Sequence, residues 1–204
     1  MGAQHRRRLR PRCPRCRLLL GNCVCARLQA FPCATRLVVV MDRREVRQHS
    51  NSGWLAVELL AGASLAVRGL KEREVDLSTV RDSARQAYLL FPAEGAPVLD
   101  AAEVAADGRP VTLVVPDACW RQARRMSRHE VELASLPRRR LPEGLEGRYA
   151  LREAPAEGHL STFEAIAAAL GVLEGPALRE RLLAVFDDWH ARHRSERAGV
   201  QPCG

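Results

Sequence analysis

Two rhythms of hydrophobic and polar positions divide the chain. Short apolar runs stand at residues 35–41, 86–91 and 111–115, the first and last rich in β-branched residues. Runs of this length, bounded by turn formers, fit strands that are buried on both faces. Elsewhere the apolar positions follow helical spacing. Trp54, Leu55, Leu59 and Leu60 mark a helix over 53–61, and a short helix is expected at 101–105. Leu182, Leu183, Val185, Phe186 and Trp189 form the apolar stripe of a last helix over 178–193. Strands separated by helices predict an α/β sheet with interleaved helices. Residues 69–80 show no clear period. Residues 136–147, broken by proline and glycine, read as a loop, and 148–152 as an edge or final strand.

The stretch 111–126 carries the most information. Val111, Thr112, Leu113, Val114 and Val115 make the strand, and Pro116 is expected to end it because proline cannot donate to a ladder. Asp117 then stands where an N-cap would, with Arg121, Arg124 and Arg125 along the helix behind it. This puts a carboxylate at the carboxyl end of a strand, where open α/β sheets hold their ligands. An ordinary strand, turn and capped helix would show the same local pattern.

Composition narrows the class. The 204 residues are 47% hydrophobic, which suits one domain with a sizeable core and argues against wholesale disorder. No apolar run approaches the roughly 20 residues of a membrane span, and the N-terminus lacks the apolar core of a secretory signal. The expectation is a soluble, cytoplasmic protein with no membrane association. A formal charge of +8 and a pI near 9.7, carried almost wholly by arginine, make a polyanionic partner the natural one. The arginines at 6–8 and Arg138, Arg139 and Arg140 are local clusters, each fitting either a phosphate contact or a solvated surface.

Four thiols follow the basic N-terminus: Cys13 and Cys16, separated by Pro-Arg, then Cys23 and Cys25. Two close pairs in a chain without an export signal fit a tetrahedral thiolate site, with structural zinc as the expected metal. Reducible disulfides or redox thiols are the alternative. Cys33 and Cys203 read as bystanders. Further on, Ser161-Thr162-Phe163-Glu164 is a capping box that starts a helix, preceded by Leu160 and the pair Gly158-His159. A capped N-terminus of this kind offers amides and a positive dipole end to an anion. Asn51 reads as the N-cap of the helix at 53–61.

Taken in order, these segments resemble one family. Asp117-Ala118-Cys119-Trp120, followed by Arg121-Gln122-Ala123, resembles the Asp-x-Thr-Trp signature of DTW-domain proteins, with Cys119 where threonine is usual. Leu160-Ser161-Thr162-Phe163-Glu164-Ala165 resembles the family's Ser-Thr-x-Glu-Ala element. Arg47 and Asn51-Ser52-Gly53 resemble its Arg and Asn-Thr-Gly, and Phe91-Pro92 with Gly95-Ala96 its aromatic-Pro loop. Asp42-Arg43-Arg44-Glu45 keeps only the Glu of the family's His-Pro-x-Glu. DTW proteins also carry a similar N-terminal cysteine group.

Membership implies a tRNA-uridine aminocarboxypropyltransferase of the SPOUT-like superfamily, with S-adenosylmethionine as donor, tRNA as partner and a C-terminal trefoil knot. No protein partner is implied. The resemblance assigns Asp117 as general base and Pro116, Cys119, Trp120, Leu160, Ser161, Thr162 and Glu164 to the donor site. Arg47, Asn51, Arg121, Arg124, Arg138, Arg139 and Arg140 are the expected RNA contacts, and Cys13, Cys16, Cys23 and Cys25 the zinc ligands. Trp120 suits either stacking on a base or a structural place in the core. The expected division is a cysteine module over 1–33, the catalytic domain over 34–197 and a tail over 198–204. Methyl transfer to RNA on a similar fold is one rival; a non-catalytic zinc-ribbon RNA-binding protein is another.

Overall fold

A computed structural model describes residues 10–70, 75–149, 151 and 160–198. The arginines at 6–8, Gly158-His159, residue 152, Cys203 and the tail after Ala198 lie outside the described residues.

Strands β1 (Arg36–Asp42), β2 (Ser64–Arg68), β3 (Gln86–Leu90), β4 (Val111–Asp117) and β5 (Arg138–Arg139) form one sheet in the order β2-β1-β4-β3-β5. Every pairing is parallel. The helices are α1 (Ser52–Leu59), α2 (Ala101–Ala105), α3 (Trp120–His129), α4 (Val131–Ala134), α5 (Thr162–Leu173) and α6 (Pro176–Ala198). This is the α/β architecture that the alternation of strands and helices predicts.

Both faces of the sheet are covered, which explains the unbroken apolar runs of β1 and β4. Side chains alternate between faces along each strand. Leu37, Val39, Met41, Leu113 and Val115 meet α1, α5 and α6, where Phe163 and Phe186 stack with centroids 4.7 Å apart. Val38, Val40 and Val114 meet α3 and α4 through Ala123, Met126 and Leu133. Leu77 and Val80, from the stretch without clear period, complete this second core.

Several boundaries differ from those the sequence predicts. β4 continues through Pro116 to Asp117, which pair with Val40 and Met41. Pairing of β4 with β3 stops at Val114, so the last residues have a single neighbour and a missing N–H costs little there. Arg138 and Arg139 form edge strand β5 against Leu89 and Leu90 instead of a loop. Arg148 and Tyr149 do not form a strand: the Arg148 N–H donates to the Glu164 carboxylate rather than to a ladder. β2 has no counterpart among the predicted elements, and α6 runs past its predicted ends on both sides.

The cysteine segment shares the main core. Cys13, Cys16, Leu18, Val24, Leu28 and Phe31 pack with α1, α5 and α6. The Trp189 indole N–H donates to the Cys16 carbonyl at 2.7 Å, and the Glu196 carboxylate accepts from the Leu19 amide at 2.7 Å and from Arg12 at 2.8 Å. No helix among the described residues is long and apolar enough to cross a membrane.

His193, also on α6, is buried, its Nε2 without a hydrogen-bond partner and its Nδ1 3.8 Å from Glu196. Burial pulls its pKa down from 6.5 to about 4, with Arg12 and Arg197 assisting and Glu196 opposing. The folded state therefore prefers the neutral ring, while the unfolded chain takes up a proton below pH 6.5. The stability this contributes is complete above pH 6.5 and is lost as pH falls toward 4, by roughly 3 kcal/mol. Denaturant titrations at pH 7 and pH 4.5 should show a smaller loss on acidification for His193→Leu than for the unaltered chain.

Candidate active site

The carboxyl ends of β1 and β4 meet the N-termini of α1 and α5 around one buried carboxylate. Asp117, 4% exposed, is the last residue of β4. It does not cap α3, as its position in the sequence suggests. Cys119 occupies that N-cap, with extended backbone and no side-chain hydrogen bond to the helix.

Asp117 points instead into the sheet's rim. Its Oδ2 accepts from Asn51 Nδ2 at 2.7 Å and its Oδ1 from the Thr162 hydroxyl at 2.6 Å. Asn51 also caps α1 as predicted, its Oδ1 accepting from the Trp54 amide at 2.7 Å. The second proton of its amide goes to Glu45 at 3.1 Å. One asparagine thus joins a helix start to two carboxylates.

Gly53 explains why the segment Asn51-Ser52-Gly53 has its form. A Cβ built there would lie 2.6 Å from Asp117 Oδ2, 2.9 Å from its Cγ and 3.2 Å from the Thr162 methyl. Only a residue without a side chain lets α1 approach so closely. Two donors therefore fix the Asp117 carboxyl group, and the starts of α1 and α5 both face it.

Glu164 completes the capping box of α5. It receives the Ser161 amide at 2.8 Å while Ser161 Oγ receives the Glu164 amide at 3.3 Å. The Phe163 amide donates to Ser52 Oγ at 3.3 Å. Two amides of the first turn are therefore satisfied within the fold, and the start of α5 offers an anion fewer open donors than the sequence suggests.

Above Asp117 lies a cavity of about 250 Å³. Leu90, Phe91, Val115, Trp120 and Leu160 give it apolar walls, and Asn51, Asp117, Ser161 and Thr162 a polar floor. Pro116 and Cys119 also line it, so all the expected donor-site residues except Glu164 come together here with Asp117. Glu164 stands behind them and fixes the start of α5. Trp120 is half-buried and packs on Phe91 with centroids 6.0 Å apart.

The expected RNA contacts divide. Asn51 belongs to the cavity floor. Arg47, Arg121 and Arg124 are exposed outside it. Arg139 is buried, bonded to Glu103 at 2.7 Å and stacked over Tyr88, so it is not available to RNA. Arg140 is held by the Ala96 carbonyl at 3.1 Å and by Glu143, and Arg138 by the Ser127 carbonyl at 2.7 Å. Edge-strand packing ties all three arginines to the protein, Arg139 by burial and Arg138 and Arg140 by part of their guanidinium only, which a basic triplet in a sequence does not reveal.

Arg17 and Tyr149 are the residues that sequence reasoning misses. Arg17 is buried, stacks 3.6 Å over the Trp54 ring and donates to the Gln48 carbonyl at 3.0 Å. Burial lowers its pKa to about 10, opposed by the charges of Asp117 and Glu58. Tyr149 lines the cavity and donates to the Ser50 carbonyl. Arg17 belongs to no periodic segment or recognised motif, and Tyr149 reads only as part of the strand expected over 148–152.

The cysteines make a second centre. The Sγ atoms of Cys13, Cys16, Cys23 and Cys25 all lie within 4.8 Å of one another, with Cys13 and Cys25 at 3.4 Å and Cys16 and Cys23 at 3.7 Å. Thiolates about 2.3 Å from a tetrahedral zinc ion stand roughly 3.8 Å apart, so the donor set fits such an ion. Arg17, at φ 63°, closes the turn after Cys16, and the Cys25 amide points at Cys23 Sγ. Burial raises the Cys13 thiol, but the amides of Cys16 and Arg15 and the neighbouring thiols outweigh it and bring the pKa to about 7. Burial pushes Cys16 and Cys25 up. Four such groups cannot all ionise side by side without a cation among them.

A sequence model of the DTW domain matches residues 10–194. The chain belongs to the DTW domain family. Its relatives include tRNA-uridine aminocarboxypropyltransferase 2 of Drosophila melanogaster, 30% identical over 182 residues, which span 85% of this chain and 71% of that protein. The Mus musculus and Macaca fascicularis proteins of the same name are 30% and 29% identical, over 85% and 81% of this chain but only 60% and 57% of theirs. The solved structure of the SAM-dependent rRNA:acp-transferase Tsr3 from Vulcanisaeta distributa superposes with a TM-score of 0.50 over 81% of this chain and 80% of that one. At 19% identity it supports the fold alone. In this DTW chain the signature's aspartate is the buried hub, its tryptophan a cavity wall, and its third position a cysteine at the cavity rim.

Gly53→Ala tests the close approach. Alanine normally stabilises a helix over glycine by about 0.5–1 kcal/mol. Here we expect a net loss of about 1–3 kcal/mol from overpacking against Asp117, measured by urea denaturation. A gain would show that the carboxylate is free to move.

Proposed function

We propose that this DTW-domain chain transfers the 3-amino-3-carboxypropyl group of S-adenosylmethionine to N3 of a uridine in tRNA. The observation that carries the reading is the buried Asp117 carboxyl group, held by Asn51 and Thr162 at the floor of an apolar-walled cavity on the sheet's rim. The names of the relatives support it. The same proposal includes zinc in the four-cysteine site and a trefoil knot in the C-terminal half. The knot rests on the resemblance to the DTW family.

All three carbons on the sulfonium are electrophilic, so regiochemistry is set by which of them the pocket turns toward the nucleophile. Leu90, Phe91, Val115 and Leu160 offer the methyl and nucleoside apolar surface, leaving the amino-acid arm toward the polar floor. Transfer forms a bond from uridine N3 to the arm's terminal carbon, breaks that carbon's bond to sulfur and releases methylthioadenosine and the N3 proton. Asp117 receives the proton as general base. Asn51 and Thr162 hold it in one orientation, and Trp120 stacks on a base.

Incubation with the donor and unmodified tRNA, followed by nuclease digestion and mass spectrometry, should reveal a uridine bearing the aminocarboxypropyl group. A mass gain of one methyl would assign the chain to methyl transfer instead. RNA binding without calorimetric heat from the donor would assign it to the non-catalytic class. Asp117→Asn should slow single-turnover transfer by about 10²–10⁴-fold while the donor still binds; near-normal transfer would remove the base role. Metal analysis should find one zinc per chain, lost in Cys16→Ser along with much of the thermal stability.

A further inference from the structure

Next to the Asp117 cavity is a second cleft of about 240 Å³, between residues 91–94 and the arginines Arg124, Arg128 and Arg138. Phe91 and Pro92 line both spaces, so the two are one residue's thickness apart. We propose that this cleft holds an RNA phosphodiester adjoining the target uridine, anchoring the strand while the base reaches over the Phe91 edge to the donor.

The chemistry of the lining is that of a phosphate site. Arg121, Arg124, Arg125 and Arg128 recur at i, i+3, i+4 and i+7, all exposed on one side of α3. The side chains of Arg124 and Arg128 make no hydrogen bond or ion pair among the described residues. Like charges four residues apart on a helix repel, and bound phosphate relieves that repulsion. Arg138 gives one nitrogen to the Ser127 carbonyl at 2.7 Å, which orients the rest of its guanidinium. Planar guanidinium forks match phosphate oxygens better than a point charge does. Glu94 is the single carboxylate lining the cleft, against three arginines.

The other basic hollow on α3 fits less well. It brings Arg125 near Arg43 and Arg44, but Asp42 lines it, its Arg68 is paired with Glu130, and it shares no residue with the Asp117 cavity.

The inference rests on tRNA being the substrate, but its test reads binding as well as transfer. The double variant Arg124→Ala, Arg128→Ala is compared with Arg109→Ala, an arginine that is also exposed, near the amino end of the sheet. Binding of unmodified tRNA is measured across salt concentrations. The double variant should lower the salt slope by about 0.9, the contribution of one phosphate contact, and raise the tRNA KM at least tenfold, with kcat and donor affinity unchanged. A double lysine variant should recover part of the slope and less of the KM. A slope and KM equal to those of Arg109→Ala would overturn the inference. If the unaltered chain binds tRNA but transfers nothing, the functional reading fails while the slope comparison still judges the cleft.

Discussion

A carboxylate buried at the edge of a sheet has to be matched by donors and positive potential, and Asp117 obtains them from segments far apart in the chain. Asn51 comes from the start of α1, Thr162 from the start of α5 and the nearby charge of Arg17 from the cysteine segment, whose turns form a knuckle around the four thiols. An unmatched buried charge costs several kcal/mol, so these segments are held to one arrangement. Gly53 allows it by having no side chain where Asp117 sits. The geometry that satisfies the charge also shapes the cavity, because the same helix starts form its floor.

The knuckle braces that arrangement. Its cysteines and leucines enter the core shared by α1, α5 and α6, and Trp189 and Glu196 bond to its backbone. The turn after Cys16 is the turn that delivers Arg17 to Trp54 and toward Asp117. A metal that fixes the four thiols would thereby act on the active-site region through packing and charge, without touching a substrate.

Local chemistry was the legible part. Asn51 and Ser161 reach only three residues ahead to cap their helices, so both caps can be read from the sequence, as can the central strands with their double-sided apolar runs. The resemblance to DTW proteins gathered the cavity lining. What stayed hidden depends on neighbours distant in sequence. The end of β4 is decided by where β3 stops pairing, not by Pro116. Asp117 had the look of a cap, and only the approach of α1 and α5 makes it a hub. Arg139 is consumed by Glu103 and Tyr88, whereas the side chains of Arg124 and Arg128 meet no polar partner among the described residues, a distinction that charge counting cannot make.

Fold, charge and cavity converge on an account in which the aminocarboxypropyl arm of the donor lies against Asp117 while the methyl is buried among the apolar walls. A crystal structure of the chain with S-adenosylmethionine bound measures this directly. The account predicts the sulfonium between Trp120 and Leu160, with the arm's reactive carbon open to solvent on the Asp117 side. A donor bound away from Asp117 and Ser161, or bound there with its methyl facing the opening, would contradict it.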